Sequence, residues 1–110
     1  MESISPEQLK AKLDAGKSVF LKLWKKGCMP CKLANPAIER LEAKDASSDS
    51  SREWVQIETS DHPEMLEVSG SEVLPAFFIF RDGKMISQTV GFKGIAKLQA
   101  FIEEADRTEN

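Results

Sequence analysis

The segment from Leu23 to Lys32, LWKKGCMPCK, holds both cysteines of the 110-residue chain, Cys28 and Cys31, with Pro30 between them. It lies where an apolar run gives way to a helical pattern. Two cysteines at this spacing can form a structural clip, contribute half of a metal site or act as a reversible redox couple. The secondary-structure elements predicted on either side of the cysteine pair help to decide among these three roles.

The cysteine pair sits between a predicted strand and a predicted helix. The run SVFLKLW at 18–24 is rich in apolar residues on both faces, as in a buried central strand. Apolar residues at helical spacing then predict a helix over about 30–44: Leu33, Ala37, Ile38 and Leu41. Cys28 therefore directly precedes the helix, and Cys31 lies in its first turn.

The remaining elements predict a single α/β domain over 1–110. A capping box at Ser5 starts a helix that Gly16 ends, and WVQIE is a short strand. A short helix ends at Gly70, and AFFIF and KMISQTV form a hairpin around RDG. A terminal amphipathic helix is marked by Ile95, Leu98, Phe101 and Ile102. The order is α-β-α-β-α-β-β-α, with a polar surface loop over 45–53 and a frayed tail over about 106–110.

Composition excludes several function classes. The formal net charge of −3 argues against a nucleic-acid binder, and no apolar run approaches the roughly 20 residues that span a bilayer. The N-terminus, MESISPEQLK, lacks the features of a secretory signal. We therefore expect a cytoplasmic protein that binds neither nucleic acid nor membrane. In that reducing compartment a lone cysteine pair is a poor permanent clip. As a separate expectation, we take it to be a monomer.

The three roles of the cysteine pair are not equally supported. Structural zinc needs four ligands, and the one histidine, His62, lies more than thirty residues beyond Cys31, so we predict no metal site. Two ordinary buried cysteines remain an alternative. A redox couple fits the helix start better, because the helix dipole stabilises an anion there and lowers the pKa of the Cys28 thiol. Cys28 is then the attacking thiol, and Cys31 the resolving one.

With these features the sequence resembles the thioredoxin family over nearly its whole length. The resemblance is carried by several segments: CMPCK at 28–32, the apolar strand ending at Trp24, Pro36, LPAFFIFRDGK at 74–84 and VGFKG at 90–94. It implies a thioredoxin-like fold, with a central mixed sheet of at least four strands and helices on both faces. It also implies that Cys28 is exposed at the end of the first long strand and that Cys31 is shielded below it.

The resemblance further implies a cis Leu74–Pro75 bond, although most X–Pro bonds are trans. In the family, the backbone of the residue before this proline pairs with an extended segment of the substrate protein. An apolar surface around Cys28, here called the docking rim, would comprise Met29, Pro30, Leu74, Pro75 and Gly91. Trp24 is a further candidate for substrate contact.

The activity implied is thiol–disulfide exchange with other proteins through a redox-active disulfide. No bound cofactor is required, and electrons come from a separate reductase. The alternative is a non-catalytic adaptor that holds a partner at the docking rim. Two departures from the family pattern keep that alternative open: Gly27 replaces the usual Trp, and Lys22 replaces a buried Asp. A third departure, Met29 for Gly, bears on redox poise.

Lys22 is the departure with the most chemical weight, and the residue expected to face it on the next strand is Gln56. Inside the core, desolvation would lower the pKa of Lys22, and a partly neutral amine could act as a base. A charged Lys22 would instead favour thiolates and raise the reduction potential, which predicts a weaker reductant than a typical thioredoxin. The alternative is that the side chain snorkels outward.

Charge is distributed unevenly along the chain. From 22 to 36 there are four lysines and no acid, whereas 42–72 holds nine acids against two bases. Such runs are commonly solvated faces. Lys25 and Lys26, however, would also lower the pKa of the Cys28 thiol and attract acidic partners towards it.

Overall fold

The computed structural model describes residues 1–46 and 52–107. Within them the chain forms five strands: β1 Glu2–Ser3, β2 Val19–Trp24, β3 Glu53–Glu58, β4 Ala76–Arg81 and β5 Lys84–Val90. It also forms four helices: α1 Pro6–Asp14, α2 Met29–Ala46, α3 Met65–Ser69 and α4 Ile95–Arg107. None of the described helices has the length and apolarity to cross a bilayer.

The strands form one mixed sheet in the order β1-β3-β2-β4-β5. The first three are parallel, whereas β4 runs antiparallel to both β2 and β5. The predicted α/β architecture is confirmed. The register also places Lys22 opposite Gln56, as expected from the sequence.

Two hydrophobic cores lie on opposite faces of the sheet. On one face, β2 and β4 contribute Phe20 and Phe77, and the covering residues of α2 and α4 are Ala34, Ile38, Leu41, Leu98, Ile102 and Ala105. On the other face, Leu9 of α1 and Met65 of α3 cover Leu21 and Leu23. The alternation along β2 explains why its sequence is apolar at nearly every position.

Local signals account for the ends of α1. The Ser5 hydroxyl accepts a hydrogen bond from the Gln8 N–H at 3.1 Å, and the Ser5 N–H donates to Gln8 Oε1 at 2.8 Å. This is the predicted capping box, and a cap of this kind contributes about 1 kcal/mol. Gly16 follows the helix in the left-handed region, at φ 76°.

Three predicted boundaries need correction. α2 is longer than 30–44, because Asp45 and Ala46 continue the helix and the Trp54 indole N–H donates to Asp45 Oδ2 at 2.9 Å. Of the predicted loop over 45–53, residues 47–51 lie outside the described residues, and Glu53 belongs to β3. The predicted frayed tail is wrong at 106 and 107, which are helical because Ala105 is anchored in the core. Residues 108–110 lie outside the described range.

The β4–β5 hairpin closes against the end of α1. Gly83 has φ 83°, its N–H donates to Lys17 O at 3.1 Å, and a Cβ added there would lie 2.4 Å from Leu13 O. Gly16 has a similar φ but open space around it. Glycine is therefore required at position 83 by both its φ and the close approach of Leu13 O, and at position 16 by its φ alone.

This difference predicts that Gly83→Ala lowers the free energy of unfolding by roughly 2–4 kcal/mol, whereas Gly16→Ala lowers it by about 1 kcal/mol. Urea denaturation of both variants measures the two values. Equal losses at the two positions would mean that the hairpin turn does not pack against α1 as described.

Candidate active site

The cysteines, the Leu74–Pro75 bond and Gly91 meet at one edge of the sheet. β2 and β3 are parallel, so their carboxyl ends lie together, and Ala76 at the start of β4 pairs with both Leu23 and Val90. The segments that leave β2, enter β4 and leave β5 are therefore neighbours. Residues distant in the sequence form a single site there.

Cys28 and Cys31 are joined as a disulfide, with their Cα atoms 5.3 Å apart. The Cys31 N–H donates a hydrogen bond to Cys28 Sγ at 3.3 Å. A free N–H at the start of a helix is a donor without an intrahelical acceptor, and no acid lies in the first turn of α2 to compete for it. Negative charge that develops on Cys28 Sγ is therefore stabilised by both the hydrogen bond and the helix dipole.

The expected exposure of Cys28 is corrected by the structure. Cys28 is 9% exposed and Cys31 is 1% exposed, so the order between them is as expected but neither is open to solvent. The reason is the loop before β4, whose Leu74 carbonyl oxygen lies 3.8 Å from Cys28 Sγ.

Lys22 lies beneath the disulfide and points into the core. Its side chain is 1% exposed, and Nζ donates to Cys31 O at 3.1 Å and to Asn35 Oδ1 at 2.5 Å. Burial lowers the pKa of Lys22 to about 8. The structure thus decides against the outward orientation. An amine with that pKa is about nine-tenths protonated at pH 7.

The groups that face Lys22 come from three elements. Cys31 and Asn35 approach from α2, Phe77 lies opposite on β4, and Gln56 lies opposite on β3. Asn35 was missed by the sequence reasoning. Its signal is its position one helical turn after Cys31, on the side of α2 that reaches Lys22.

Trp24 lies beside Lys22, with its ring centroid 5.9 Å from Nζ. The side chain is half-buried, and its indole nitrogen is buried without a hydrogen-bond partner among the described residues. Trp24 therefore lies next to the Lys22 amine and is also partly exposed at the surface.

The Leu74–Pro75 bond is cis, as the resemblance implied. Pro75 itself is buried, and its carbonyl oxygen accepts a hydrogen bond from the Gly91 N–H at 2.7 Å. Leu74 and Gly91 are half-buried, whereas Met29 is 62% exposed. The predicted docking rim is thus brought together around Cys28, but Pro75 holds its neighbours in place rather than offering its own ring.

Among the described residues, no group of three or more His, Cys, Asp or Glu side chains could hold a metal ion.

Comparison with known proteins agrees with this geometry. The family model for thioredoxin matches residues 1–104. A thioredoxin of Chlamydia caviae is 30% identical over 86 residues, covering 78% of this chain and 80% of that protein. Thioredoxin C-2 of Corynebacterium nephridii is 29% identical, covering 84% and 82% of the two chains. The crystal structure of Malassezia sympodialis thioredoxin (Mala s 13) aligns with a TM-score of 0.77 at 25% identity, over 96% of this chain and 90% of that one.

The fold, the cysteine pair and these relatives define a thiol–disulfide oxidoreductase whose redox group is its own disulfide. The chain belongs to the thioredoxin family. Members of this family act on disulfides of other proteins and receive electrons from a reductase.

Proposed function

We propose that Cys28 is the nucleophile of this oxidoreductase and Cys31 the resolving cysteine. The Cys28 thiolate attacks one sulfur of a substrate disulfide, forms a mixed disulfide and releases the other sulfur, which takes a proton from solvent. Cys31 then attacks Cys28 Sγ, closes the Cys28–Cys31 disulfide and releases the second substrate thiol. Two electrons pass from the dithiol to the substrate, and a separate reductase restores the dithiol.

One observation carries the assignment of roles. Cys28 Sγ accepts a hydrogen bond from the Cys31 N–H at the start of α2, while Cys31 is the more buried of the two cysteines. The hydrogen bond and dipole favour the thiolate at 28, and burial disfavours it at 31. The more accessible sulfur is also the one with the better stabilised anion.

The docking rim is proposed to hold the substrate segment that carries the disulfide. Leu74 offers an extended backbone whose carbonyl oxygen lies beside Cys28 Sγ, which suits addition of a short strand from the substrate. Met29 and Pro30 would contact the apolar side chains of that strand, and Gly91 would let the backbone approach closely. Trp24 would contribute at its exposed edge.

Lys22 is proposed to set the redox poise of the pair as a positioning residue. At pH 7 its largely protonated amine lies next to the Cys31 backbone, where positive charge favours thiolates over the disulfide. As the pH rises through about 8, the neutral fraction grows, and that fraction can accept a proton as the dithiol ionises. The first effect supports the expectation of a weaker reductant than a typical thioredoxin.

We further propose that residues 1–110 act as one monomeric domain in the cytoplasm. A dithiol that must be restored after each turnover suits a compartment in which a reductase keeps thiols reduced.

Reduction of insulin with dithiothreitol as electron source tests the proposed function. The wild-type protein is expected to accelerate precipitation of the insulin B chain, and Cys28→Ser is expected to show no acceleration. A wild-type protein that binds a partner at the docking rim yet leaves the rate unchanged would be an adaptor, and the proposal would be wrong.

A further inference from the structure

The two faces of the sheet carry opposite charges at the edge where the disulfide lies. α2 and α4 cover one face together, since Ala34 and Leu98 belong to one core. α3 covers the other face, where Met65 packs. Cys28 directly precedes α2, and the segment that follows α3 reaches Cys28 through the Leu74 carbonyl oxygen.

The α2/α4 side of this edge is basic. The sequence has no acid over 22–38 or over 83–102, and the first turns of α2 and α4 hold none. Three exposed lysines lie on these two helices or directly before α4, and they are here called the basic side: Lys32, Lys93 and Lys97.

The α3 side of the same edge is acidic. From 59 to 80 the sequence has no lysine or arginine. Four exposed carboxylates lie there, and they are here called the acidic side: Asp61, Glu64, Glu67 and Glu72.

Cys28 lies on the boundary between the two sides. Its Sγ is 3.8 Å from Leu74 O, two residues after Glu72, and its own backbone leads directly into α2. Large exposed apolar side chains flank the boundary as well. Met29 and Leu33, one helical turn apart on the basic side, are each 62% exposed, and Val68 and Val73 are about half-exposed on the acidic side.

We propose that this edge selects and orients disulfide-bearing segments by their charge polarity. The preferred occupant is an extended segment with an apolar centre, acidic residues towards the basic side and basic residues towards the acidic side. This inference rests on the proposed function and adds a substrate class to it.

The physical reason is that a segment with charges of one sign meets attraction on one side of Cys28 and repulsion on the other. Only a segment of mixed sign, in one direction, is attracted on both sides. Electrostatic attraction of this kind raises association rates by roughly 10- to 1,000-fold and weakens with salt. We therefore expect the polarity to act on the rate of mixed-disulfide formation.

Five peptides with one central cysteine, linked by a disulfide to the neutral reporter 4-thiopyridine, provide the test. Their flanks are acidic then basic, basic then acidic, wholly acidic, wholly basic, or neutral. The pre-reduced protein reacts with each peptide in single-turnover stopped-flow measurements at low salt and at about 1 M salt, where the Debye length is about 3 Å. One of the two mixed-sign peptides is expected to react about tenfold faster than its reverse and than both single-sign peptides. The difference should fall below about twofold at high salt.

Two triple variants, one on the basic side and one on the acidic side, test whether these charges cause the preference between peptides. Both are compared with the same control variant. Lys32→Gln/Lys93→Gln/Lys97→Gln and Glu64→Gln/Glu67→Gln/Glu72→Gln should each remove most of the preference. Lys10→Gln/Lys17→Gln/Lys84→Gln changes the net charge by the same three units as the first, on surfaces outside the two sides, and should retain the preference.

Each other outcome overturns the inference. Equal rates for the two mixed-sign peptides, or the fastest rate for a single-sign peptide, would show that polarity is not selected. Salt-sensitive dimerisation that slows every peptide would mean that a second copy of this chain occupies the edge. The neutral peptide separates the two proposals, because its reduction by the wild-type protein and not by Cys28→Ser shows that the proposed function holds without any charge preference. If no peptide is reduced, the proposed function fails, and this inference fails with it.

Discussion

A Cys31→Ser variant is expected to stop at the mixed disulfide and remain covalently bound to its substrate. Cys28 keeps the helix dipole and the N–H of residue 31, so attack on the substrate should proceed. Release should not, because no second sulfur lies within reach. We expect multiple-turnover insulin reduction to fall by roughly two orders of magnitude or more, while the covalent adduct accumulates to near stoichiometry.

Non-reducing mass spectrometry measures the adduct, and Cys28→Ser is its matched control. That variant should form no adduct, although it retains one sulfur of the pair. If Cys28→Ser traps substrate and Cys31→Ser does not, the roles of the two cysteines are reversed. If both trap it equally, the pair has no division of roles.

Replacing Lys22 with methionine is expected to stabilise the oxidised protein at pH 7. Burial holds the pKa of Lys22 at about 8 in the folded state, against 10.5 as its ordinary value. Below pH 8 the folded protein therefore buries a charge, at a cost on the order of 3 kcal/mol. Loss of the two hydrogen bonds to Cys31 O and Asn35 Oδ1 offsets part of the gain. A net increase of about 1–2 kcal/mol in the free energy of unfolding should remain.

The pH dependence of the stability gained in Lys22→Met shows whether the gain comes from removal of a buried charge. Between pH 8 and 10.5 the unfolded wild-type chain holds a proton on Lys22 that the folded chain has released, so wild-type stability rises relative to the variant. The advantage of Lys22→Met should thus shrink through that window. Urea denaturation at pH 7 and near pH 10 measures it, with the exposed Lys84→Met as the control. A difference that does not vary with pH would contradict the buried charge.

The same variant should lower the reduction potential. Without the ammonium group beside the Cys31 backbone, the thiolates lose stabilisation, and a loss of about 1.4 kcal/mol corresponds to about 30 mV. Equilibration with glutathione measures the change for Lys22→Met and Lys84→Met. An unchanged potential in Lys22→Met would leave Lys22 with a structural role only.

The sequence predicted most of the fold because its signals are local. The capping box at Ser5, the RDG turn, and the apolar runs of β2 and β4 each determine structure within a few residues. The boundaries that were wrong depend on tertiary contacts: the end of α2 on the bond between Asp45 and Trp54, and the end of α4 on burial of Ala105. Neither contact is visible in the local pattern.

For the site as well, the features set by local sequence were predicted, whereas those that depend on tertiary contacts were not. The spacing of Cys28 and Cys31 and their position at a helix start followed from the sequence, whereas the cis bond at Pro75 came from the resemblance alone. The direction of Lys22 could not be decided, because VFLKLW is apolar on both faces and gives no preference for either. The burial of Cys28 depends on Leu74, which is 46 residues away along the chain.

The central claim is that the peptide dipoles at the start of α2 make the Cys28 thiolate easy to form. The rate of iodoacetamide alkylation of the reduced protein, followed at each cysteine by mass spectrometry across pH 5–10, tests it most directly. The Cys28 rate should have its midpoint well below the free-thiol pKa of about 8.5, and the Cys31 rate should have its midpoint above it. Two sulfurs that both ionise near 8.5 would contradict the account.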